Sequence, residues 1–93
     1  MLELSRLGAL VQRNNSALLP GANGRRVRAG MPGAADILAC YQGAFVAIEC
    51  KKPRKTQSSL QLGYQAAVEL AGGIYILARN VEDVFVELGI PLS

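Results

Sequence analysis

Histidine and tryptophan are absent from this 93-residue chain, and cysteine occurs only at Cys40 and Cys50. With no His and two Cys, a zinc site of ordinary type is excluded. Aromatics are few, three Tyr and two Phe, so the apolar half of the composition comes mainly from Val, Ile, Leu and Ala. No apolar stretch approaches membrane-spanning length, and no signal-peptide pattern opens the chain. The two cysteines read as reduced core residues of a cytosolic protein.

The length predicts one small domain over residues 1–93. Such a chain buries roughly 60–65% of its unfolded surface, which leaves stability marginal. An apolar fraction of 51% is high for that size. The surplus predicts a surface buried against another copy, most simply in a closed homodimer.

The net charge is a modest +3 but is unevenly spread. Arg25, Arg26 and Arg28 cluster in a Gly-rich segment, and Lys51, Lys52, Arg54 and Lys55 form a second cluster. From Val81 to Glu87 the charges are all acidic. Two basic clusters suit a polyanionic partner, although a solvated basic loop has the same composition.

Residues 1–12 carry a weak helical pattern through Leu2, Leu4, Leu7, Leu10 and Val11. From Arg13 to Gly33 the chain reads as loop with one short strand near Ala17–Leu19. Two apolar runs follow, Asp36–Tyr41 and Ala44–Lys51, separated by Gln42-Gly43, which predicts a β-hairpin. That register sets Tyr41 opposite Ala44, Cys40 opposite Phe45 and Asp36 opposite Glu49, with the two cysteines facing opposite ways. Both faces of the hairpin are apolar, so these strands are expected to be central and covered on each side. Ser58-Ser-Leu-Gln61 has capping-box spacing, and Leu60, Tyr64, Ala67, Val68 and Ala71 continue a helix as far as Gly72-Gly73. Tyr64 reads as core or interface, and Gly63 inside the helix suggests close approach of another backbone. Ile74–Ala78 reads as a third strand, and Asn80 as the cap of a last helix ended by Gly89 and Pro91. The whole is a mixed α/β domain.

The chemistry gathers at one end of the hairpin. Asp36 and Glu49 are hard oxygen ligands suited to Mg²⁺ or Mn²⁺, and the backbone carbonyl of Cys50 offers a third. Lys51 lies two residues beyond Glu49, on the same side, placed to orient water or to balance charge on a phosphate. Two readings of this triplet stand: a metal site for phosphodiester hydrolysis, or a surface ion pair between Lys51 and one carboxylate. Gln61 likewise reads either as the capping partner of Ser58 or as a polar residue beside a phosphate, since helix starts suit anions. Arg13, Asn14 and Asn15 are candidate phosphate contacts, although Asn-rich loops commonly serve as turns.

Taken in order, Gly30-Met-Pro32-Gly33-Ala-Ala-Asp36, Glu49-Cys-Lys51, Ser58-x-x-Gln61 and Ala71-Gly72-Gly73 resemble the PD-(D/E)XK nuclease superfamily. More closely they resemble its virus-type replication-repair nuclease (VRR-NUC) branch, in the short stand-alone form found in bacteriophages. Arg13-Asn14-Asn15-Ser16 and Gly24-Arg25-Arg26-Val27-Arg28 are similar to segments of such proteins, and the likeness spans about residues 13–88.

The resemblance implies a restriction-endonuclease-like α/β fold, a mixed sheet flanked by helices, and Mg²⁺- or Mn²⁺-dependent DNA cleavage. It assigns Asp36, Glu49 and the Cys50 carbonyl to the metal, Lys51 to the catalytic lysine position and Gln61 to the active site. It further implies a homodimer acting on branched or four-way (Holliday) junction DNA, in a phage or prophage protein of the bacterial cytoplasm. The family usually opens with a longer helix carrying an acidic residue that joins the site; here Glu3 is the candidate. The basic residues Arg13, Arg25, Arg26, Arg28, Lys52, Arg54 and Lys55, with Asn14 and Asn15, are the expected DNA contacts. A non-cleaving DNA-binding module of the same fold is the alternative.

Overall fold

The computed structural model describes residues 2–13, 17–20, 26–29 and 33–91, the segments 17–20 and 26–29 as backbone. Three helices and six strands follow one another as α1 (Leu2–Arg6), β1 (Leu10–Arg13), β2 (Ala17–Pro20), β3 (Arg26–Ala29), β4 (Ile37–Tyr41), β5 (Ala44–Cys50), α2 (Ser59–Leu70), β6 (Ile74–Ala78) and α3 (Val81–Leu88). β1, β4, β5 and β6 form a four-stranded mixed sheet in that order, and β2 and β3 form a separate antiparallel ribbon. The protein is a small α/β fold.

The central hairpin has the register its turn predicts. Ile37 pairs with Ile48, Leu38 with Ala47, Ala39 with Val46, Cys40 with Phe45 and Tyr41 with Ala44. Gln42 and Gly43 both have positive φ, 50° and 80°, as a type I′ turn requires. β6 then joins β5 in parallel, with Val46 opposite Ile74 and Glu49 opposite Leu77. A parallel neighbour needs a crossover connection, and α2 is that connection. α2 starts at a complete Ser58/Gln61 capping box, and α3 starts at Asn80, whose side chain accepts from Asp83 N–H.

Two expectations for the N-terminal part need correction. The helical pattern over residues 1–12 ends after Arg6, and Leu10–Arg13 forms an edge strand antiparallel to β4. A turn at Leu7–Gly8 separates the two, with Ala9 N–H donating back to Leu4 C=O at 3.1 Å. The loop expected from Arg13 to Gly33 holds two strands, because Ala17–Pro20 pairs with Arg26–Ala29.

Strand alternation divides the core between the two sheet faces. Leu4, Val46, Ile48, Ile76 and Val84 are buried on the face covered by α1 and α3. Ala35, Ala47, Val68 and Tyr75 are buried on the face under α2, with Tyr64 packed edge-on to Tyr75 at 6.4 Å. Tyr64 is therefore partly buried against this cluster. Coverage of that second face is partial: Phe45 stays 46% exposed and Leu10 74%. Within α2 the apolar spacing overstates burial, since Val68 is buried while Leu60 and Ala67 are exposed. Gly63 is also exposed, and among the described residues a methyl group there would meet nothing within 4 Å beyond its own stretch of helix. The two cysteines are free and exposed, not core residues. Cys40 lies in the interior strand β4, between the exposed Leu10 and Phe45 on the incompletely covered face, and Cys50 is the last residue of β5. Among the described residues, no helix is long and apolar enough to cross a membrane.

Candidate active site at the end of the central hairpin

The ladder between β4 and β5 stops at Ile37–Ile48, one residue short of the expected Asp36–Glu49 pair. Asp36 lies in a bend just before β4, and its Oδ2 accepts the N–H of Cys50 at 3.0 Å. That N–H points to the β4 side of β5, where the backbone of β4 has already ended. A carboxylate thus replaces the missing strand carbonyl. The next residue points the other way: Lys51 N–H donates to Ala78 C=O of β6 at 3.0 Å. By the same alternation the Cys50 carbonyl faces the Asp36 side.

Glu49 faces α2 and is only 3% exposed. Its Oε2 is buried with no hydrogen-bond partner among the described residues. Burial first, then a hydrogen bond to Asp36 and the charge on Asp36, raise its pKa from 4.5 to about 7, opposed by the Lys51 ammonium. Burial and the neighbouring Asp36 charge thus favour the protonated form of Glu49. Among the described residues no ion pair joins Lys51 to either carboxylate, so the surface salt-bridge reading does not describe this triplet. Lys51 acts on Glu49 through space.

The approach of Asp36 to α2 depends on Gly33. Its φ is +77°, and a methyl group there would meet the carbonyl carbon of Leu60 at 2.5 Å and the nitrogen of Gln61 at 2.9 Å. Only glycine lets the segment before Asp36 lie against the first turn of α2. Gln61 is thereby brought near the site, but its Oε1 accepts Ser58 N–H at 2.9 Å and its N–H donates to Ser58 Oγ at 3.2 Å. The geometry gives its side chain a capping role.

Arg13 ends β1 opposite Ile37 and so stands at the Asp36 end of the sheet. The Cys50 thiol is pushed up by partial burial and by Asp36 and Glu49, and Arg13 opposes that shift. Lys52, Arg54 and Lys55 are exposed in the segment that leaves Lys51. Arg26 and Arg28 occur in β3, where backbone alone is described. Asn14, Asn15 and Arg25 lie outside the described residues, as does the side chain of Glu3. The helix bearing Glu3 is anchored by Leu4 to the sheet face opposite Glu49. Among the described residues no three His, Cys, Asp or Glu side chains gather as a metal cluster. Any ion here would rest on two carboxylates and a backbone oxygen.

Three contributors are invisible in the sequence pattern. Tyr75, opposite Ala47 in β6, lies close enough to Glu49 and Asp36 for both to raise its pKa, after burial and against a hydrogen bond from Gln57. Gln57 Nε2 donates to Tyr75 Oη at 3.2 Å and to Gln65 Oε1 at 3.0 Å, closing the α2 side of the site. Arg79, one residue past β6, donates to the carbonyls of Lys52 and Lys55 at 2.6 and 3.1 Å. No spacing rule places an arginine on backbone oxygens more than twenty residues away.

Fold and site together define a small α/β protein whose mixed sheet ends in a carboxylate pair beside a lysine. Comparison with protein-family models, curated proteins and solved structures finds no match for this chain.

Proposed function

We propose that this chain is a divalent-metal-dependent DNA endonuclease of the PD-(D/E)XK superfamily, VRR-NUC branch, its mixed sheet being a restriction-endonuclease-like core. The observation that carries the reading is the buried Oε2 of Glu49, without a partner among the described residues, beside Asp36. A buried carboxylate oxygen without a partner is costly, and such groups concentrate where a ligand or ion completes the site. The donor set fits a hard cation: Asp36, Glu49 and the Cys50 carbonyl would hold Mg²⁺ or Mn²⁺. Such an ion supplies polarisation of a phosphodiester oxygen and acidifies a bound water.

The protein's own groups do the rest. Asp36 holds the end of β5 in place through Cys50 N–H, which keeps Glu49 and Lys51 in register. Lys51 brings a positive charge to the same side, where it orients the attacking water or offsets charge building on the phosphate. Arg13 on one flank and Lys52, Arg54 and Lys55 on the other attract the polyanion. With no base-reading element evident, recognition by shape and phosphate geometry follows, which favours branched substrates such as four-way junctions. A homodimer belongs to this reading, since Leu60 and Leu70 are 61% and 91% exposed. So does a phage or prophage setting in the bacterial cytoplasm.

The test is a panel of linear, flapped and four-way-junction DNA incubated with Mn²⁺, with the particle mass measured in parallel. Lys51→Ala is expected to lower cleavage by roughly 10²–10³-fold with binding retained. Cleavage that survives Lys51→Ala or Asp36→Ala would refute the assignment.

A further inference from the structure

Residues 52–55 form a turn closed by Lys55 N–H donating to Lys52 C=O at 3.2 Å. Pro53 and Arg54 are its central residues, and Arg54 has φ 70°. Proline first and positive φ second is the type II pattern, whose second position favours glycine because a side chain there strains the backbone. An arginine sits in that place, between two lysines. Nothing in the turn's own bonding explains the choice, because glycine would close the same hydrogen bond with less strain.

Arg79 supplies the missing support. Its Nη1 and Nη2 donate to the carbonyls of Lys52 and Lys55, so one planar fork spans both ends of the turn. Its own N–H is held by Asp83 Oδ2 at 2.8 Å, and Asp83 N–H donates to the Asn80 cap at 2.9 Å. The start of α3 thus fixes Arg79, Arg79 fixes the turn, and the turn leaves directly from Lys51. With its carbonyls gathered onto Arg79, the turn keeps the cations of Lys52, Arg54 and Lys55 exposed.

We infer that Arg79 is a positioning residue that latches residues 52–55 as a cation-presenting turn for the phosphate backbone of the nucleic acid cut beside it. This rests on the proposed nuclease reading for its ligand. The latch itself is independent of that reading.

The experiment measures binding of the full-length protein to a four-way DNA junction, without metal, across a salt series, together with limited trypsin digestion of the free protein. Arg79→Lys keeps the charge but loses the fork. It is expected to lower the slope of log K against log salt by about 2, the loss of two or three phosphate contacts at about 0.9 each. Cleavage after Arg54 and Lys55 should quicken several-fold. Arg54→Gly relieves the turn, so it should melt at roughly 2–5 °C higher temperature while the salt slope falls by about 1. That variant keeps the idea testable if Arg79→Lys folds poorly. An unchanged slope and digestion pattern in Arg79→Lys overturns the latch alone, as does unchanged binding by Arg54→Gly for the presenting role. A wild-type protein that binds no DNA overturns this inference together with the function it rests on.

Discussion

Glu49 should make the metal-free protein lose stability as pH rises, opposite to the usual behaviour of a folded protein's carboxylates. Its pKa is raised from 4.5 to about 7, by burial first and by Asp36 second. A raised folded-state pKa means that the folded protein binds the proton more tightly than the unfolded chain does. The contribution is therefore complete below about pH 4.5 and lost as pH climbs through about 7. The shift corresponds to about 3 kcal/mol, on the order of a third of the whole stability expected for a domain of this size. In melting temperature that is roughly 10–20 °C between pH 4.5 and pH 8. Glu49→Gln imitates the protonated acid and can still donate to Asp36, so it should flatten this slope. The assay is thermal unfolding of wild type and Glu49→Gln across pH in EDTA, with the difference between them read at each pH. Saturating Mn²⁺ should restore wild type at pH 8 and do nothing for Glu49→Gln, because the ion takes the ionised carboxylates. A difference curve that is flat with pH, or that rises toward high pH, would refute the burial argument. A pH-dependent curve without any Mn²⁺ effect would leave the buried acid standing and remove the metal.

Further outcomes separate scaffold from chemistry. Asp36→Asn keeps an oxygen for Cys50 N–H, so it should fold with near-wild-type stability yet lose Mn²⁺-dependent cleavage; Asp36→Ala should also cost about 1–2 kcal/mol in urea unfolding. Gly33→Ala should cost about 2–4 kcal/mol in the same measurement, since it adds a left-handed penalty to a clash with the Leu60 backbone.

How much of this could be read from the chain alone depended on whether the causes were local. The Gln42-Gly43 turn sets its own geometry, so it carried the whole β4–β5 register and brought Asp36 and Glu49 to one end. The caps at Ser58 and Asn80 are local too, and both helices start where those residues lie. β1 was hidden because Leu7, Leu10 and Val11 keep a helical spacing, and its strand exists only through pairing with distant β4. The strand at Arg26–Ala29 was hidden for the same reason.

The chain's residues alone carried the ingredients of the site: two carboxylates, a lysine, the hairpin that gathers them and the caps that start α2 and α3. Tertiary structure decided their state. Whether Glu49 is exposed or buried with its pKa raised depends on α2 and Tyr75 packing on its face of the sheet, and Tyr75 arrives through a parallel pairing that no local pattern encodes. Arg79 likewise gains its role from carbonyl oxygens, which every residue possesses and no sequence motif can mark. Side-chain chemistry is written residue by residue, whereas desolvation and backbone partnership exist only once the chain has folded.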